Sequence, residues 1–164
     1  MENTETPIEK EQTDNTSGEA KKGVERTAKA HWQGNFKEGK GTVSTQSGIL
    51  EEANYSFKTR FEEGEKGTNP EELLGAAHAG CFTMSVAAIL TKKGLNPTSL
   101  DTKATVVLEG LNITTIHLAI TGVVPGITAD EFSIVTKEAK KNCLISKILN
   151  IPITSESYFI AYND

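Results

Sequence analysis

The feature that most constrains this fold is a run of 18 residues, 73–90, that contains no Asp, Glu, Lys or Arg. Eighteen is the length at which a membrane-spanning helix has to be considered. The run, however, includes His78, Gly80 and Thr83, and no aromatic anchors flank it. We therefore interpret it as a buried helix, and we expect no membrane partner.

Both ends of the run carry helix-boundary signals. Asn69 is placed to cap the helix, Pro70 is placed at its first position, and Glu71 and Glu72 lie at the positive end of the helix dipole. Gly94 follows two lysines, which is typical of a helix end. The sequence thus predicts one long helix between Asn69 and Gly94.

A helix without charge on any face has to be enclosed on every side. The chain has 164 residues, which corresponds to one domain, and so has little material to surround such a helix. The missing cover is predicted to be a second copy of the chain. Small residues that would allow another backbone to approach are Gly75, Ala76, Ala79 and Gly80. We therefore predict a homodimer.

The rest of the pattern predicts an α+β fold. Three short β-type runs precede the long helix, at residues 28–34, 41–46 and 54–61. In the third run alternation places Arg60 on the face opposite Tyr55 and Phe57. Two strands, 101–108 and 111–121, a helix opening at Thr128, and a last strand, 153–162, follow.

Composition excludes several classes of protein. The net charge of −5 and a pI near 5.3 lack the basic footprint of a nucleic-acid-binding protein. Residues 1–28 are polar and poor in large apolar groups, so we predict a disordered tail there and a single domain over residues 29–164. The first residues show no secretory leader, and two cysteines are too few for a disulfide scaffold, so a cytoplasmic location is expected.

The two cysteines are the main candidates for chemistry. Cys81 lies in the middle of the uncharged helix, as either an inert core residue or a nucleophilic thiol. Cys143 lies on the apolar stripe of the second helix, or at a break just beyond it, and is either a second core thiol or a resolving thiol. His78 shares a helical face with Cys81, as a packing residue or as part of a Cys/His pair.

Other polar residues give weaker signals. Glu71 is ten residues before Cys81, about 15 Å along the helix axis, so the two cannot touch within one chain. An antiparallel copy of the helix across a two-fold axis would allow that contact; otherwise Glu71 is simply a favourable first-turn acid. His31 and His117 show no metal-ligand spacing, so no metal site is expected.

The string GTNPEELLGAAHAGCF, residues 67–82, resembles the signature of the OsmC/Ohr family, the osmotically inducible and organic hydroperoxide resistance proteins, and is closest to the OsmC branch. The resemblance extends from AHWQGNFKEGKGTVSTQSG through TRFEEGEKG and NPTSLDTKATVVL to the region of the second cysteine. It leaves out the predicted tail. Leu144 stands where family members commonly have proline after that cysteine, which would let the helix continue through Cys143.

The resemblance implies two antiparallel three-stranded sheet units packed around long central helices in an intertwined homodimer. It also implies a peroxidase that needs no metal, haem or flavin and that reduces organic hydroperoxides, and hydrogen peroxide less readily. By position, Cys81 matches the peroxidatic cysteine, Cys143 the resolving cysteine, Arg60 the arginine that stabilises the thiolate, and Glu71 the glutamate that orients Arg60. The implied reductant is an external dithiol, of lipoyl type in part of the family.

The leading hypothesis is therefore a thiol peroxidase that reduces organic hydroperoxides through a cysteine sulfenic acid and an intrachain disulfide. Two alternatives from other classes are kept. One is a dimeric protein that binds an apolar ligand and whose thiols are inert. The other is a thiol hydrolase that uses Cys81 and His78.

Overall fold

The computed structural model describes residues 23–161, so most of the predicted tail lies outside the described residues. Within them the chain forms two three-stranded sheets with helices between and beside them. The strands are β1 (Ala28–Gln33), β2 (Lys40–Thr45), β3 (Ala53–Ser56), β4 (Ser99–Glu109), β5 (Asn112–Val123) and β6 (Ile153–Ile160). The helices are α1 (Phe57–Phe61), α2 (Pro70–Lys92), α3 (Ala129–Asn142) and α4 (Leu144–Ile148). The predicted α+β class is confirmed.

The long central helix α2 has the boundaries that its caps predict. The Asn69 side chain accepts a hydrogen bond of 2.8 Å from the Glu72 backbone N–H. At the other end Gly94 adopts φ +74°, a conformation that glycine accepts without strain and that ends the helix. Both ends follow from local chemistry, which is why the sequence indicates them so clearly.

The strand predicted over residues 54–61 is wrong in its second half. The strand β3 ends at Ser56, and Phe57–Phe61 form the short helix α1. The Ser56 side chain accepts from the Thr59 backbone N–H, and the Thr59 hydroxyl accepts from the Ser56 backbone N–H. This reciprocal cap favours a helical turn over extended backbone, so Arg60 projects from a helix and not from a strand face.

The two sheets differ in their pairing. In the first, β1 pairs with β2 and β2 with β3, all antiparallel. In the second, β4 and β5 are antiparallel, but β5 and β6 are parallel. The expectation of two antiparallel units is therefore wrong for the second sheet. The helices α3 and α4 form the crossover that a parallel connection requires.

The hydrophobic core belongs to the second half of the chain. Its centre is formed by Phe82, Leu90, Leu118 and Phe132, all with no exposed surface. Among the described residues, none of the buried apolar side chains comes from β1, β2 or β3. The first sheet is thus attached to the body without contributing to its core.

The helix α2 is covered on one face only. Gly75 packs against its own sheet, since a Cβ there would lie 3.4 Å from Val106. On the opposite side Ala77, Gly80, Met84 and Ala88 are exposed, and Ala76 is exposed at the edge next to β4. Of the four small residues predicted to face a partner, Gly75 therefore faces β4 instead. By length and composition α2 also meets the criteria for a membrane span, and 33% of its most apolar window is buried inside the chain.

Candidate active site

The two cysteines meet at the junction of three helices. Cys81 is half-buried on α2, and Cys143 is fully buried where α3 ends and α4 begins. Their Sγ atoms are 2.9 Å apart, with the Cys143 thiol donating to Cys81. Both are free thiols in this structure. A small movement would bring the sulfur atoms to the bonding distance of a disulfide, about 2 Å.

The helical backbone is interrupted at Cys143 even though the next residue is not proline. Cys143 ends α3 and precedes α4, with φ −58° and ψ 124°, so it is not helical. Of the two placements that the sequence left open, the structure shows the break. The helix is free to continue through Cys143 because Leu144 stands in place of proline, but it does not. The break directs the Cys143 side chain towards α2.

The two thiols have opposite shifts in pKa. Burial raises the pKa of Cys81, but hydrogen bonds from the Cys143 side chain and from the backbone N–H groups of Ile145 and Leu144 outweigh it and lower that pKa below the ordinary value. Burial and the Cys81 side chain raise the pKa of Cys143. These shifts favour the thiolate, which is the reactive species, at Cys81 and the protonated thiol at Cys143.

The amide donors to Cys81 come from residues that the sequence did not single out. Leu144 and Ile145 open α4, and the first N–H groups of a helix have no partner within it. A proline at position 144 would have no N–H to donate. The side chains of these residues do not indicate that they donate to Cys81, because the donors are backbone N–H groups. Their position depends on the interruption of the helix at Cys143.

Arg60 and Glu71 form the second part of the predicted site. The Arg60 Nε atom donates to both carboxylate oxygens of Glu71, at 3.0 and 3.1 Å, and a terminal nitrogen adds a further contact. The guanidinium carbon also lies 5.2 Å from the centre of the Phe61 ring. This fork geometry fixes the guanidinium far better than a single contact would.

The elements around this ion pair hold it at the start of α2. Asn69, the cap of α2, also donates from its side chain to the carbonyl oxygen of Thr59, at 3.1 Å. The backbone N–H of Thr68 donates to the carbonyl oxygen of Asn54. These bonds tie α1 and β3 to the start of α2, so Arg60 reaches Glu71. A groove between α2 and β4 begins beside Glu71 and is lined mainly by small and apolar residues: Gly75, Ala76, Ala79, Thr102, Ala104 and Val106.

Within one chain the ion pair and the thiol pair lie apart. Glu71 and Cys81 are ten helical residues apart, about 15 Å along α2. Arg60 accordingly is not among the groups that lower the pKa of Cys81 in the single chain. The structure thus assembles the four predicted residues as two pairs and does not bring the pairs together.

His78 does not pair with Cys81. It is fully buried, and its Nε2 atom is 2.8 Å from the Ser146 hydroxyl on α4. Its Nδ1 atom has no hydrogen-bond partner within residues 23–161. This geometry does not favour a Cys/His hydrolase. Over the same residues, no group of three or more potential ligand side chains is arranged to hold a metal ion.

Comparisons with known proteins identify relatives of this chain. Residues 63–156 match the family described as OsmC-like protein. The chain is 50% identical over 135 residues to the protein named peroxiredoxin OsmC in Escherichia coli K12, covering 80% of this chain and 94% of that protein. The same figures hold for the peroxiredoxin OsmC of Shigella flexneri.

Solved structures share the fold at lower identity. An organic hydroperoxide resistance protein OsmC from Legionella pneumophila matches with a TM-score of 0.62 and 21% identity, over 83% of this chain and 96% of the other. The organic hydroperoxide resistance protein OhrB of Bacillus subtilis matches with a TM-score of 0.56 and 17% identity, over 82% and 98%.

Proposed function

The chain belongs to the OsmC-like family and is an oxidoreductase of the peroxidase type, and from this premise we propose that it reduces organic hydroperoxides with Cys81 as the attacking thiol. The observation that carries the proposal is the pair of free thiols 2.9 Å apart whose pKa values are shifted in opposite directions. The lowered pKa of Cys81 favours the thiolate that attacks a peroxide, whereas the raised pKa of Cys143 keeps that thiol protonated. A role in packing alone does not require this difference.

The proposed reaction has two steps before reduction. The Cys81 thiolate attacks the terminal oxygen of the hydroperoxide, the O–O bond breaks, and the alcohol leaves after taking up a proton. Cys81 is then a sulfenic acid. The Cys143 sulfur attacks the Cys81 sulfur, an S–S bond forms, and the oxygen leaves as water. An external dithiol, for example one of lipoyl type, then restores both thiols by exchange. No bound cofactor takes part.

We also propose that the working enzyme is an intertwined homodimer, because one chain holds only half of each site. The exposed, uncharged face of α2 contains Ala76, Ala77, Gly80 and Met84. Packing this face against its copy in an antiparallel sense would bring the Arg60–Glu71 pair of one chain towards Cys81 of the other. A fixed guanidinium would there favour the thiolate and orient the peroxide. The two-fold axis would create two equal sites.

The apolar surroundings support an organic substrate. Cys81 lies on α2, whose exposed face is lined by alanine, glycine and methionine, with Met84 74% exposed. An alkyl or aryl hydroperoxide would bury apolar surface there, whereas hydrogen peroxide would gain nothing from it. We also propose a cytoplasmic location, because a reducing compartment keeps the two cysteines as thiols between turnovers.

The test uses the reduced protein and one equivalent of cumene hydroperoxide. We expect rapid consumption of the peroxide and, by mass spectrometry, a crosslink between Cys81 and Cys143. Cys81→Ser should abolish consumption, whereas Cys143→Ser should still consume the one equivalent but form no crosslink. Consumption that survives Cys81→Ser would overturn the proposal. The ligand-binding alternative predicts tight binding of an apolar compound and no consumption in any variant.

A further inference from the structure

A cavity lies on the first sheet, and neither cysteine lines it. Its volume is about 480 Å³, and it is formed by the turn between β1 and β2, by β2 and β3, by α1 and by the segment that leads into α2. Six of its lining residues are charged: Lys37, Lys40, Lys58 and Lys66, with Glu38 and Glu65. We call it the lysine cavity. The proposed peroxidase reaction uses none of these six side chains.

The lysine cavity carries more positive than negative charge. Four lysines against two glutamates leave +2, in a chain whose net charge is −5. Within residues 23–161 the ion pairs lie elsewhere, one between α1 and α2 and one on the second sheet. The only lysine side chain in that part of the chain that donates a hydrogen bond is Lys140, on α3. The four cavity lysines therefore keep their charges and their N–H groups available for a ligand.

The wall beside the lysines is made of backbone and an aromatic ring. Gly39 and Gly41 are buried and line the cavity together with Tyr55. A side chain at Gly41 would collide with the Tyr55 ring, and a Cβ at Gly39 would lie 2.8 Å from the Trp32 ring. The Tyr55 and Trp32 rings pack on each other, with their centres 5.4 Å apart. Glycine at both positions thus allows a flat wall, against which an organic group can lie.

We propose that the lysine cavity binds a phosphate ester, with the phosphate group among the lysines and the organic part against the wall that contains Tyr55. A phosphate monoester carries a charge of about −1.5 to −2 at neutral pH and three acceptor oxygens, which suits several cations better than a single carboxylate does. Lysine binds phosphate as a point charge. The cavity volume lies in the range of small-molecule sites, about 300–1,000 Å³, and exceeds what inorganic phosphate needs, so the ligand has an organic part.

The test is a calorimetric titration of the full reduced chain with glycerol 3-phosphate. We expect saturable binding at one site per chain, weaker when sodium chloride is raised from about 0.1 to about 1 M, because salt screens the lysine charges. Glycerol 3-phosphate is also the polar end of phosphatidic acid, so sedimentation with phosphatidylcholine vesicles that contain phosphatidic acid is measured in parallel. Binding of the free ester assigns the phosphate to a soluble molecule, and binding to the vesicles alone assigns it to a lipid headgroup.

Lys40 and Lys66 are the residues to change, because they lie outside α1 and leave the helix that holds Arg60 intact. Lys40→Ala/Lys66→Ala should weaken binding about tenfold or more, since each lysine contributes a hydrogen bond to a charged group. Lys40→Arg/Lys66→Arg keeps both charges and should retain most of the affinity. Lys103→Ala/Lys137→Ala removes two exposed lysines, from β4 and α3, and is the control for overall charge.

Three results would overturn the inference. Equal affinities in Lys40→Ala/Lys66→Ala and in the control variant would mean that the lysine cavity is not the site. Glycerate, which carries a carboxylate in place of the phosphate ester, would overturn the phosphate assignment if it bound as tightly. The absence of saturable binding to both the free ester and the vesicles would remove the site. Consumption of cumene hydroperoxide depends on Cys81 and not on these lysines, so it is measured in the same variants, and the two proposals can fail separately.

Discussion

At the scale of single residues, the reactivity of Cys81 depends on which groups donate hydrogen bonds to its sulfur. The donors in one chain are the Cys143 thiol and two backbone amides of α4. Each of them favours the thiolate because it donates to a negative charge, and together they overcome the effect of burial. In the single chain these donors therefore lower the pKa of Cys81 without a contribution from a cationic side chain.

The first prediction concerns the pH dependence of this thiol. Because the pKa of Cys81 is lowered, its rate of alkylation by iodoacetamide should rise with pH through a midpoint below that of a free thiol, about 8.5. Cys143→Ala removes one donor, so the thiolate becomes less favourable and the midpoint should move to higher pH. A midpoint of the natural protein at or above that of free cysteine would contradict the proposed nucleophile.

The second prediction concerns Arg60. Arg60→Ala should slow the peroxide step about tenfold or more, since removing one preorganised donor from a reaction site commonly costs at least that much. Lys58→Ala is the matched control, because it removes a positive charge from the same short helix without touching Glu71. Stopped-flow kinetics with cumene hydroperoxide measure both. Equal rates in the two variants would remove Arg60 from the mechanism.

At the scale of secondary structure, the turn from β3 into α1 decides where Arg60 points. The reciprocal bonds between Ser56 and Thr59 begin the helical turn. Arg60 follows directly and reaches Glu71 at the start of α2. A strand continued through Thr59 would have sent the guanidinium to a sheet face instead.

The third prediction tests this cap. Ser56→Ala removes the side-chain acceptor and should lower the free energy of unfolding by about 1 kcal/mol, as loss of a helix cap typically does. It should also slow the peroxide step, because Arg60 is then held less firmly. Ser56→Asp retains a capping oxygen and should keep most of both properties. Urea unfolding and peroxide kinetics check the two effects, and an aspartate variant as impaired as the alanine variant would argue against the cap.

The same elements show what could be predicted from the sequence. The caps of α2 and α3 were identified correctly because each depends on residues within one turn, Asn69 with Glu72 and Thr128 with Glu131. The strand predicted at 111–121 depends on an equally local signal, the alternation of Ile116, Leu118 and Ile120, which are buried on β5. These signals need no knowledge of the rest of the chain.

The features that were missed depend on distant parts of the chain or on the backbone. The parallel pairing of β6 depends on how the crossover returns to β5, which no single strand records. The helix α1 was missed because its cap uses Thr59 where glutamate or glutamine is usual. For the site, the family resemblance named Arg60, Glu71, Cys81 and Cys143, and their roles stay predictions until the variants are measured.

At the scale of the whole molecule, a single chain leaves the first sheet outside the core and one face of α2 uncovered. The first sheet contributes nothing to the buried core described above. The outer face of α2 exposes apolar residues over its length, including Ala77 and Met84. A second copy of the chain packed on this face of α2 would cover it, which supports the proposed dimer.

The fourth prediction follows from the exposed face of α2. Ala77→Glu should convert a dimer into single chains, since a charge buried in an apolar interface without a partner is strongly unfavourable. It should also reduce peroxidase activity, although both thiols remain. Ala129→Glu, at the exposed start of α3, is the control and should leave the mass at twice that of one chain. Sedimentation equilibrium measures the masses, and a natural protein that sediments as one chain would refute the dimer.

The separation of the two thiols along the chain has a consequence for durability. Cys81 and Cys143 are 62 positions apart, and the segment between them includes β4, β5 and α3. Joining them would tether this segment and restrict the unfolded chain, which by loop entropy is worth about 4 kcal/mol. The disulfide-bonded enzyme, present immediately after it has consumed an oxidant, would therefore melt at a higher temperature than the dithiol form. Each reduction by the external dithiol would lower that melting temperature again.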